Sequence, residues 1–353
     1  MAVSRSGDDV ACLVIAEAGV NHNGSEELAL KLVVAAARAG ADAVKFQTFR
    51  PETLVRPGAE KAAYQRARTG TGDQFSMLEA LTLSESSHRR LFERCRELGI
   101  EFLSTPFDEA AADFLVGLGV RRVKVASGDL TNVPLLAHLA ASGLPLIVST
   151  GMATLEEVAE AVEVVSFARA ERGFAAPLAQ ALTLLHCTSN YPTALEDVNL
   201  RAMLTLRERF GLPCGYSDHT PGTLIAPVAA ALGAVIIEKH FTLDRSLPGP
   251  DHQASLEPGE LAQMIADIRA VERSLGSGEK VPRPCELTVR DLVRRSVTLR
   301  RPLRAGEALT REDLVVLRPG TGIPPRDLPR LAGRRVRRDL PAGAMLEWSD
   351  IEP

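Results

Sequence analysis

Two histidines and two lysines stand where this chain's apolar runs give way to polar residues. His219 and His240 each follow such a run, and Lys45 and Lys124 lie within or just after two earlier ones. Two imidazoles at matching height can share a divalent ion and leave positions open, which suits activation of a water or a carbonyl. The same rings can instead hydrogen-bond loop carbonyls, so metal binding is one of two interpretations.

The two lysines have two chemical interpretations. A buried lysine must be paired or must have a lowered pKa. One possibility is an aldolase in which a lysine attacks a carbonyl to form a Schiff base. The other is an anion site, where both lysines and nearby hydroxyl groups hold a phosphate or carboxylate. Those hydroxyls belong to Thr105, Ser127, Ser189 and Ser217. Two lysines with several hydroxyls favour the anion site, and a lysine that extends to solvent is the structural alternative.

A carboxylate and two loops complete the candidate chemistry. Glu17 follows the run Val14-Ile15-Ala16. It is either a partner for one of the lysines, or a general acid/base or electrostatic partner for a cationic intermediate. Tyr191 and Asp251 lie on loops stiffened by proline and glycine, which suits residues that position a polar substrate.

The elements that must position these residues alternate regularly. Eight short apolar runs are separated by segments of helical period, several of which follow a capping residue such as Ser25, Ser84 or Thr154. Strand and helix alternating eight times predict a (βα)8 TIM barrel, an α/β fold whose active site lies at the C-terminal ends of its strands. Because every run ends in reactive residues, we expect an enzyme.

The chain divides unevenly. We expect the barrel over residues 1–275, a linker over 276–289 and a small β-rich module over 290–353, with strands at Ser296–Leu299 and Leu314–Leu317. A polar, turn-rich insertion at 51–80 follows the second strand, and a lid or a subunit contact is expected there.

Composition excludes several classes of protein. No apolar stretch approaches the roughly 20 residues of a membrane helix, and the first residues lack the apolar core of a secretory signal. The five cysteines are scattered, which favours reduced thiols and a cytoplasmic location. From residue 289 onward there are 14 Arg, no Lys and nine acidic residues. No aromatic platform accompanies them, so docking onto an acidic barrel is favoured over nucleic-acid binding.

Taken together, the motifs resemble those of the sialic acid synthases, which condense phosphoenolpyruvate with an N-acetylated amino sugar. The matching stretches are IAEAGVNHNG (15–24), VKFQTF (44–49), STPFD (104–108), KVASGDLTN (124–132), HCTSNYPT (186–193), GYSDHT (215–220), EKHFTLD (238–244) and PGPDHQASL (248–256). RRS (294–296) and RPGTG (318–322) are similar to the antifreeze-like (SAF, β-clip) module of such synthases. Any one motif is weak, but ten in the right order are specific.

The resemblance implies a role for each matching residue. Phosphoenolpyruvate would be held by Lys45, Thr105, Lys124, Ser127, Ser189 and Ser217. His219 and His240 would bind Mn²⁺, or else Mg²⁺ or Co²⁺, and Glu17 would sit beside the reacting enol carbon. The open-chain sugar would be held by Gln47, Asp129, Tyr191, Asp251 and, from the other subunit of a domain-swapped homodimer, Arg318.

The resemblance leaves the acceptor sugar open. Position 129 is Asp and position 126 is Ala, where many sialic acid synthases have Glu and Gly. N-acetylneuraminate synthesis is the first expectation. The alternative is legionaminic or pseudaminic acid synthesis from a 2,4-diacetamido-2,4,6-trideoxyhexose. More distant alternatives are a lysine-dependent pyruvate aldolase and a carbohydrate-binding protein without activity.

Overall fold

The computed structural model describes residues 11–353. It contains two compact units that divide between Ser277 and Gly278. We call them the barrel unit and the C-terminal unit and describe each by itself.

Eight parallel strands make up the core of the barrel unit. They are β1 (Leu13–Gly19), β2 (Ala43–Thr48), β3 (Glu101–Pro106), β4 (Val123–Val125), β5 (Leu146–Ser149), β6 (Leu182–His186), β7 (Cys214–Asp218) and β8 (Ile236–His240). Their order in the sheet is β3-β2-β1-β8-β7-β6-β5-β4. The first and last strands of this order, β3 and β4, also lie next to each other, so the sheet closes into a barrel. Nearly every strand residue is buried, as expected for parallel strands covered by helices. The predicted TIM barrel is confirmed.

The register of the strands sets the height of the candidate residues. Glu17 of β1 is level with Lys45 of β2 on one side and with His240 of β8 on the other. On the next pair of strands, Ser217 is level with Glu238. Because alternate residues of a strand share a face, Glu238 and His240 lie on the same face of β8.

In the described part of the barrel unit, twelve helices accompany these strands: α1 (Glu26–Ala39), α2 (Pro51–Leu54), α3 (Ala63–Thr69), α4 (Gln74–Glu79), α5 (Glu85–Leu98), α6 (Glu109–Leu118), α7 (Val133–Ala141), α8 (Leu155–Glu171), α9 (Leu178–Ala181), α10 (Arg201–Phe210), α11 (Ile225–Ala231) and α12 (Pro258–Leu275). The capping residues predicted from the sequence are confirmed. Ser25, Ser84 and Thr154 each accept a backbone hydrogen bond from the first turn of the helix that follows.

The insertion after β2 is ordered by short helices. The residues expected to be a turn-rich stretch form α2, α3 and α4. Met77 and Leu81 from this segment pack with Val20 and Phe49 in a small buried cluster of their own. The sequence did not predict these helices because each is too short to show a helical period.

The C-terminal unit spans Gly278–Pro353. Its strands β9 (Ser296–Leu299) and β10 (Leu314–Leu317) pair antiparallel and coincide with the predicted runs. They help to enclose an apolar cluster that includes Val297, Leu303 and Leu346.

One helix in this region was not predicted from the sequence. The end of the expected linker 276–289 lies in a helix, α13 (Pro284–Val293). Pro284 occupies the first helical turn, and the Glu286 carboxylate accepts from the Arg283 backbone N–H at 2.7 Å. Both features start a helix, although the same residues resemble a linker in composition. Across residues 11–353, no helix combines the length and apolarity needed to cross a membrane.

Candidate active site

A cavity of about 530 Å³ opens at the C-terminal ends of the barrel strands. All but two of the residues predicted to carry chemistry line it: Glu17, Lys45, Gln47, Thr105, Lys124, Ser127, Ser189, Tyr191, Ser217, His219, His240 and Asp251. They come from seven strands or the loops that follow them, so the barrel brings together side chains far apart in sequence.

Two predicted residues are not in the wall of this cavity. Asp129 is half-buried in the turn after β4 and accepts a hydrogen bond from the Asn132 side chain at 3.1 Å. Arg318 belongs to the C-terminal unit. The sugar-binding roles expected of both residues stay predictions.

Lys45 lies at the bottom of the cavity between two carboxylates. Its Nζ atom is 2.7 Å from Glu17 Oε2 and 3.8 Å from Glu238 Oε2, and it donates to Thr105 Oγ1 at 3.2 Å. All four side chains are buried. A buried ammonium group needs such partners, because charge without a partner is strongly disfavoured in a protein interior.

Lys124 enters the same region from β4. Its Nζ donates to Ser149 Oγ at 2.7 Å and to the Val125 carbonyl at 3.0 Å, and it lies 3.8 Å from Glu238 Oε1. Burial lowers the pKa of this lysine, while the attraction of Glu238 opposes the shift. The two lysines therefore share Glu238, and together they form a compact cationic patch.

The two carboxylates differ in their proton affinity. Burial raises the pKa of Glu17 to about 7, and Lys45 opposes this shift only in part. For Glu238, burial is outweighed by attraction to Lys124 and Lys45, which brings its pKa to about 2. Glu17 is thus the carboxyl that can exchange a proton near neutral pH, whereas Glu238 remains an anion.

Glu238 is the main site residue to which the sequence analysis gave no role. It accepts a hydrogen bond from Ser217 Oγ at 2.9 Å and faces both lysines. The period of two along β8 could have identified it, because that period places Glu238 on the face of His240. Ser149 and Cys187 also line the cavity and were missed. Each lies at a strand end beside more conspicuous residues.

Glycine is required at one point of the wall. A Cβ atom on Gly151 would lie 2.9 Å from Ser127 Oγ and equally close to Cys187 Sγ, and it would overlap Ser189 Oγ. These separations are shorter than real Cβ contacts, so a side chain at Gly151 would displace the hydroxyl groups. The apolar run of β5 therefore ends in a residue whose missing side chain makes room for them.

The two histidines lie together on the other side of the cavity. Their ring centroids are 5.5 Å apart, and the Tyr191 ring is 4.2 Å from that of His219. His219 Nδ1 is 2.7 Å from the Thr188 carbonyl oxygen. Because a carbonyl only accepts, Nδ1 carries the proton, and the lone pair of Nε2 lies 3.3 Å from Ser217 Oγ.

The environment of both imidazoles favours the form that binds a metal. Burial lowers the pKa of His219 to about 4, and burial together with the neighbouring His219 holds the pKa of His240 well below its usual value. His240 Nδ1 is buried without a hydrogen-bond partner among the described residues, 3.9 Å from Asp251 Oδ2. Residues 11–353 contain no group of three or more histidine, cysteine or acidic side chains arranged as a complete metal site. Two neighbouring neutral imidazoles, one with a buried Nδ1 that lacks a partner, fit an open site in which a divalent ion would take its other ligands from water and substrate.

Comparisons with known proteins agree with this geometry. Residues 32–280 match the NeuB family and residues 294–352 match the SAF domain. An N,N'-diacetyllegionaminic acid synthase from Legionella pneumophila is 52% identical over 351 residues, covering 99% of this chain and 97% of the relative. A second N,N'-diacetyllegionaminic acid synthase, from Campylobacter jejuni, is 43% identical over 312 residues. The matched region covers 88% of this chain and 91% of the relative.

A solved structure is also similar. The N-acetylneuraminic acid synthetase of Leptospira borgpetersenii superposes with a TM-score of 0.68 at 34% identity, over 81% of this chain and 94% of that one. With the barrel and its cavity, these matches define an enzyme, a transferase that forms a carbon–carbon bond from phosphoenolpyruvate. The chain belongs to the NeuB family of sialic acid synthases and carries the SAF domain at its C-terminus. The family expected from the sequence motifs is confirmed.

Proposed function

We propose that this enzyme condenses phosphoenolpyruvate with 2,4-diacetamido-2,4,6-trideoxymannose and water to give N,N'-diacetyllegionaminic acid and phosphate. The observation that carries the choice of acceptor is the 52% identity, over nearly the full length of both chains, to a protein with that product. N-acetylneuraminate synthesis, the first expectation from the sequence, has the weaker support of 34% identity.

The cationic patch is the proposed site for phosphoenolpyruvate. Lys45 and Lys124 face a cavity that also presents the hydroxyls of Thr105, Ser127, Ser189 and Ser217. Charged donors and hydroxyls in this arrangement suit a phosphate and a carboxylate held only a few ångströms apart. The negative charge of the bound substrate would attract Lys45 and would replace part of its ion pairing with Glu17.

His219 and His240 are the proposed ligands of a divalent ion, with Mn²⁺ favoured over Mg²⁺ and Co²⁺. When bound, such an ion would act as a Lewis acid toward the sugar aldehyde and an attacking water. The protein's contribution here is to keep both imidazoles neutral and to fix the ring of His219 through the Thr188 carbonyl.

The chemistry assigned to the remaining side chains follows from charge. As C3 of phosphoenolpyruvate bonds to the aldehyde carbon, positive charge develops at C2, and the Glu17 carboxylate stabilises it. Water then adds at C2, and the C2–O bond to the phosphate breaks. Lys45 and Lys124 stabilise the departing phosphate without forming a covalent bond to carbon, so this reaction needs no Schiff base.

Residues toward the mouth of the cavity are proposed to hold the sugar. Gln47, Tyr191 and Asp251 line it there, and Gln47 Nε2 lies 3.5 Å from Glu17 Oε1. Asp129 and, from the second subunit of a domain-swapped homodimer, Arg318 would complete the set. We place the reaction in the cytoplasm, in keeping with the scattered placement of the five cysteines along the sequence.

Phosphate release tests this proposal. The protein is incubated with phosphoenolpyruvate and Mn²⁺, with either 2,4-diacetamido-2,4,6-trideoxymannose or N-acetylmannosamine, with and without EDTA. We expect EDTA-sensitive release with the diacetamido sugar and a kcat/KM at least tenfold above that for N-acetylmannosamine, with the nonulosonic acid identified by mass spectrometry. A preference for N-acetylmannosamine would refute the proposed acceptor. Full activity in EDTA would refute the proposed requirement for a divalent ion.

A further inference from the structure

The segment after β2, residues 51–81, forms one wall of the catalytic cavity. The side chains that it contributes there are apolar or amides, among them Leu54, Val55, Gln65, Gln74, Met77 and Leu78. Among the side chains that the structure describes in this segment, none of those lining the cavity is charged. This wall differs in chemistry from the rest of the cavity, where lysines, carboxylates and histidines end the strands.

The wall is held in place by contacts at two points, one near its end and one in α3. Met77 and Leu81 are buried against Val20 and Phe49, close to the ends of β1 and β2. Arg68 Nη1 donates to the Pro250 carbonyl at 2.8 Å, which ties α3 to the loop that carries Asp251. A surface fixed in this way can select a ligand by shape, because little ordering is left for the binding step.

Gln65 presents a defined hydrogen-bonding group. Its Oε1 atom accepts from the Ala62 backbone N–H at 3.0 Å, at the start of α3. With the oxygen engaged, the Nε2 amide and its two N–H donors are the part of this side chain that a ligand can use. A donor beside apolar surface matches an acetamido group, which has a carbonyl oxygen and a methyl group.

We propose that Gln65 determines the acceptor, with its Nε2 donating to the carbonyl oxygen of the sugar's 4-acetamido group. Leu54, Met77 and Leu78 cover the apolar parts of the same sugar, its acetamido and C6 methyl groups. This inference rests on the proposed function and names the residue that selects the proposed acceptor sugar. A sugar with a hydroxyl at C4 and a hydroxymethyl at C5 would bury those groups against apolar side chains, which is unfavourable unless each finds a partner.

The substitution Gln65→Glu tests the assignment. It keeps the length of the side chain and an oxygen for the Ala62 N–H, and it removes both donors. Gln65→Met removes the donors without adding a charge, so the two variants together separate the lost hydrogen bond from a change in electrostatics. Gln180→Glu is the matched control, because Gln180 is exposed in α9 and does not line the cavity.

We expect both Gln65 variants to lower kcat/KM for the diacetamido sugar by roughly 10- to 100-fold, the effect of leaving one buried carbonyl without its donor. The loss should appear in the KM of that sugar, with kcat, the KM of phosphoenolpyruvate and kcat/KM for N-acetylmannosamine within threefold of wild type. The control should match wild type throughout.

Three results would overturn the inference. They are an unchanged KM for the diacetamido sugar, an equal loss with both sugars, and a loss that appears in the KM of phosphoenolpyruvate. If the wild-type enzyme prefers N-acetylmannosamine, the proposed function fails and this assignment fails with it. A wild type that prefers the diacetamido sugar, together with silent Gln65 variants, refutes only the role of Gln65.

Discussion

Two buried lysine–carboxylate pairs in the barrel unit show what separates a functional charge from a structural one. Lys45 and Glu17 border the cavity, whereas Lys239 and Asp218 lie behind it on the other face of β7 and β8. Both pairs are close, with Nζ–O distances of 2.7 and 2.9 Å respectively. Burial and distance alone therefore do not tell them apart.

Their hydrogen bonding does tell them apart. Lys239 also donates to the Thr220 carbonyl, and Asp218 Oδ1 accepts from the backbone and the hydroxyl of Thr220. Both carboxylate oxygens of the outer pair thus have hydrogen-bond partners. Around Lys45, by contrast, Glu238 Oε2 is buried without a hydrogen-bond partner among residues 11–353, and open volume lies in front of both lysines. Because it borders the cavity and has an acceptor without a partner beside it, the inner pair is the one we propose to contact the substrate.

The largest expected effect comes from the outer pair. Lys239→Met leaves the Asp218 carboxylate buried without its cation, so we expect the free energy of unfolding to fall by about 3–5 kcal/mol. Asp218→Asn added to that variant should recover most of the loss. Lys31→Met is the control, since Lys31 is exposed and forms an ion pair with the exposed Glu27 one turn earlier in α1. Urea denaturation measures all three, and a Lys239→Met protein as stable as the control would contradict the structural role.

A second effect distinguishes the carboxylates of the inner site. The folded pKa of Glu17 is raised to about 7 from 4.5, so the folded protein holds this proton more tightly than the unfolded chain. The stabilisation is complete below pH 4.5 and is lost as pH rises toward 7. Relative to Glu17→Gln, which does not titrate, wild type should lose on the order of 3 kcal/mol between those pH values. Unfolding both proteins across this range measures the difference, and a difference that is constant with pH would contradict the raised pKa.

The smallest expected effect concerns a cation outside the barrel unit. If Arg318 of a second subunit contacts the acyl group of the sugar, Arg318→Ala should raise the KM of the sugar about tenfold, the effect of losing one charged hydrogen bond. The KM of phosphoenolpyruvate should stay within threefold. Steady-state kinetics with each substrate varied in turn checks this, with Arg326→Ala, an exposed arginine of the same unit, as the control. An unchanged sugar KM would remove Arg318 from the site.

Sequence reasoning succeeded where the cause is local. The eight strands, the helix caps and both strands of the C-terminal unit follow from short-range patterns, and the site residues follow from their places at strand ends. It did not identify features that arise only when residues distant in sequence come together in the fold. Glu238 acquires its importance from two lysines on β2 and β4, whose positions beside it no short-range pattern shows. The wall formed by residues 51–81 depends on packing against β1 and β2, which no period within the segment reveals.

Binding of phosphoenolpyruvate alone, measured by calorimetry without sugar or metal, tests the central claim most directly. The claim is that Lys45 and Lys124 hold this substrate while Lys239 holds the strands. We predict that Lys45→Met and Lys124→Met each weaken binding by roughly 100-fold or more, as expected when one partner of a buried charge pair is lost. The paired variant Asp218→Asn with Lys239→Met should bind within threefold of wild type. Equal affinity in wild type and in the two cavity variants would contradict the account.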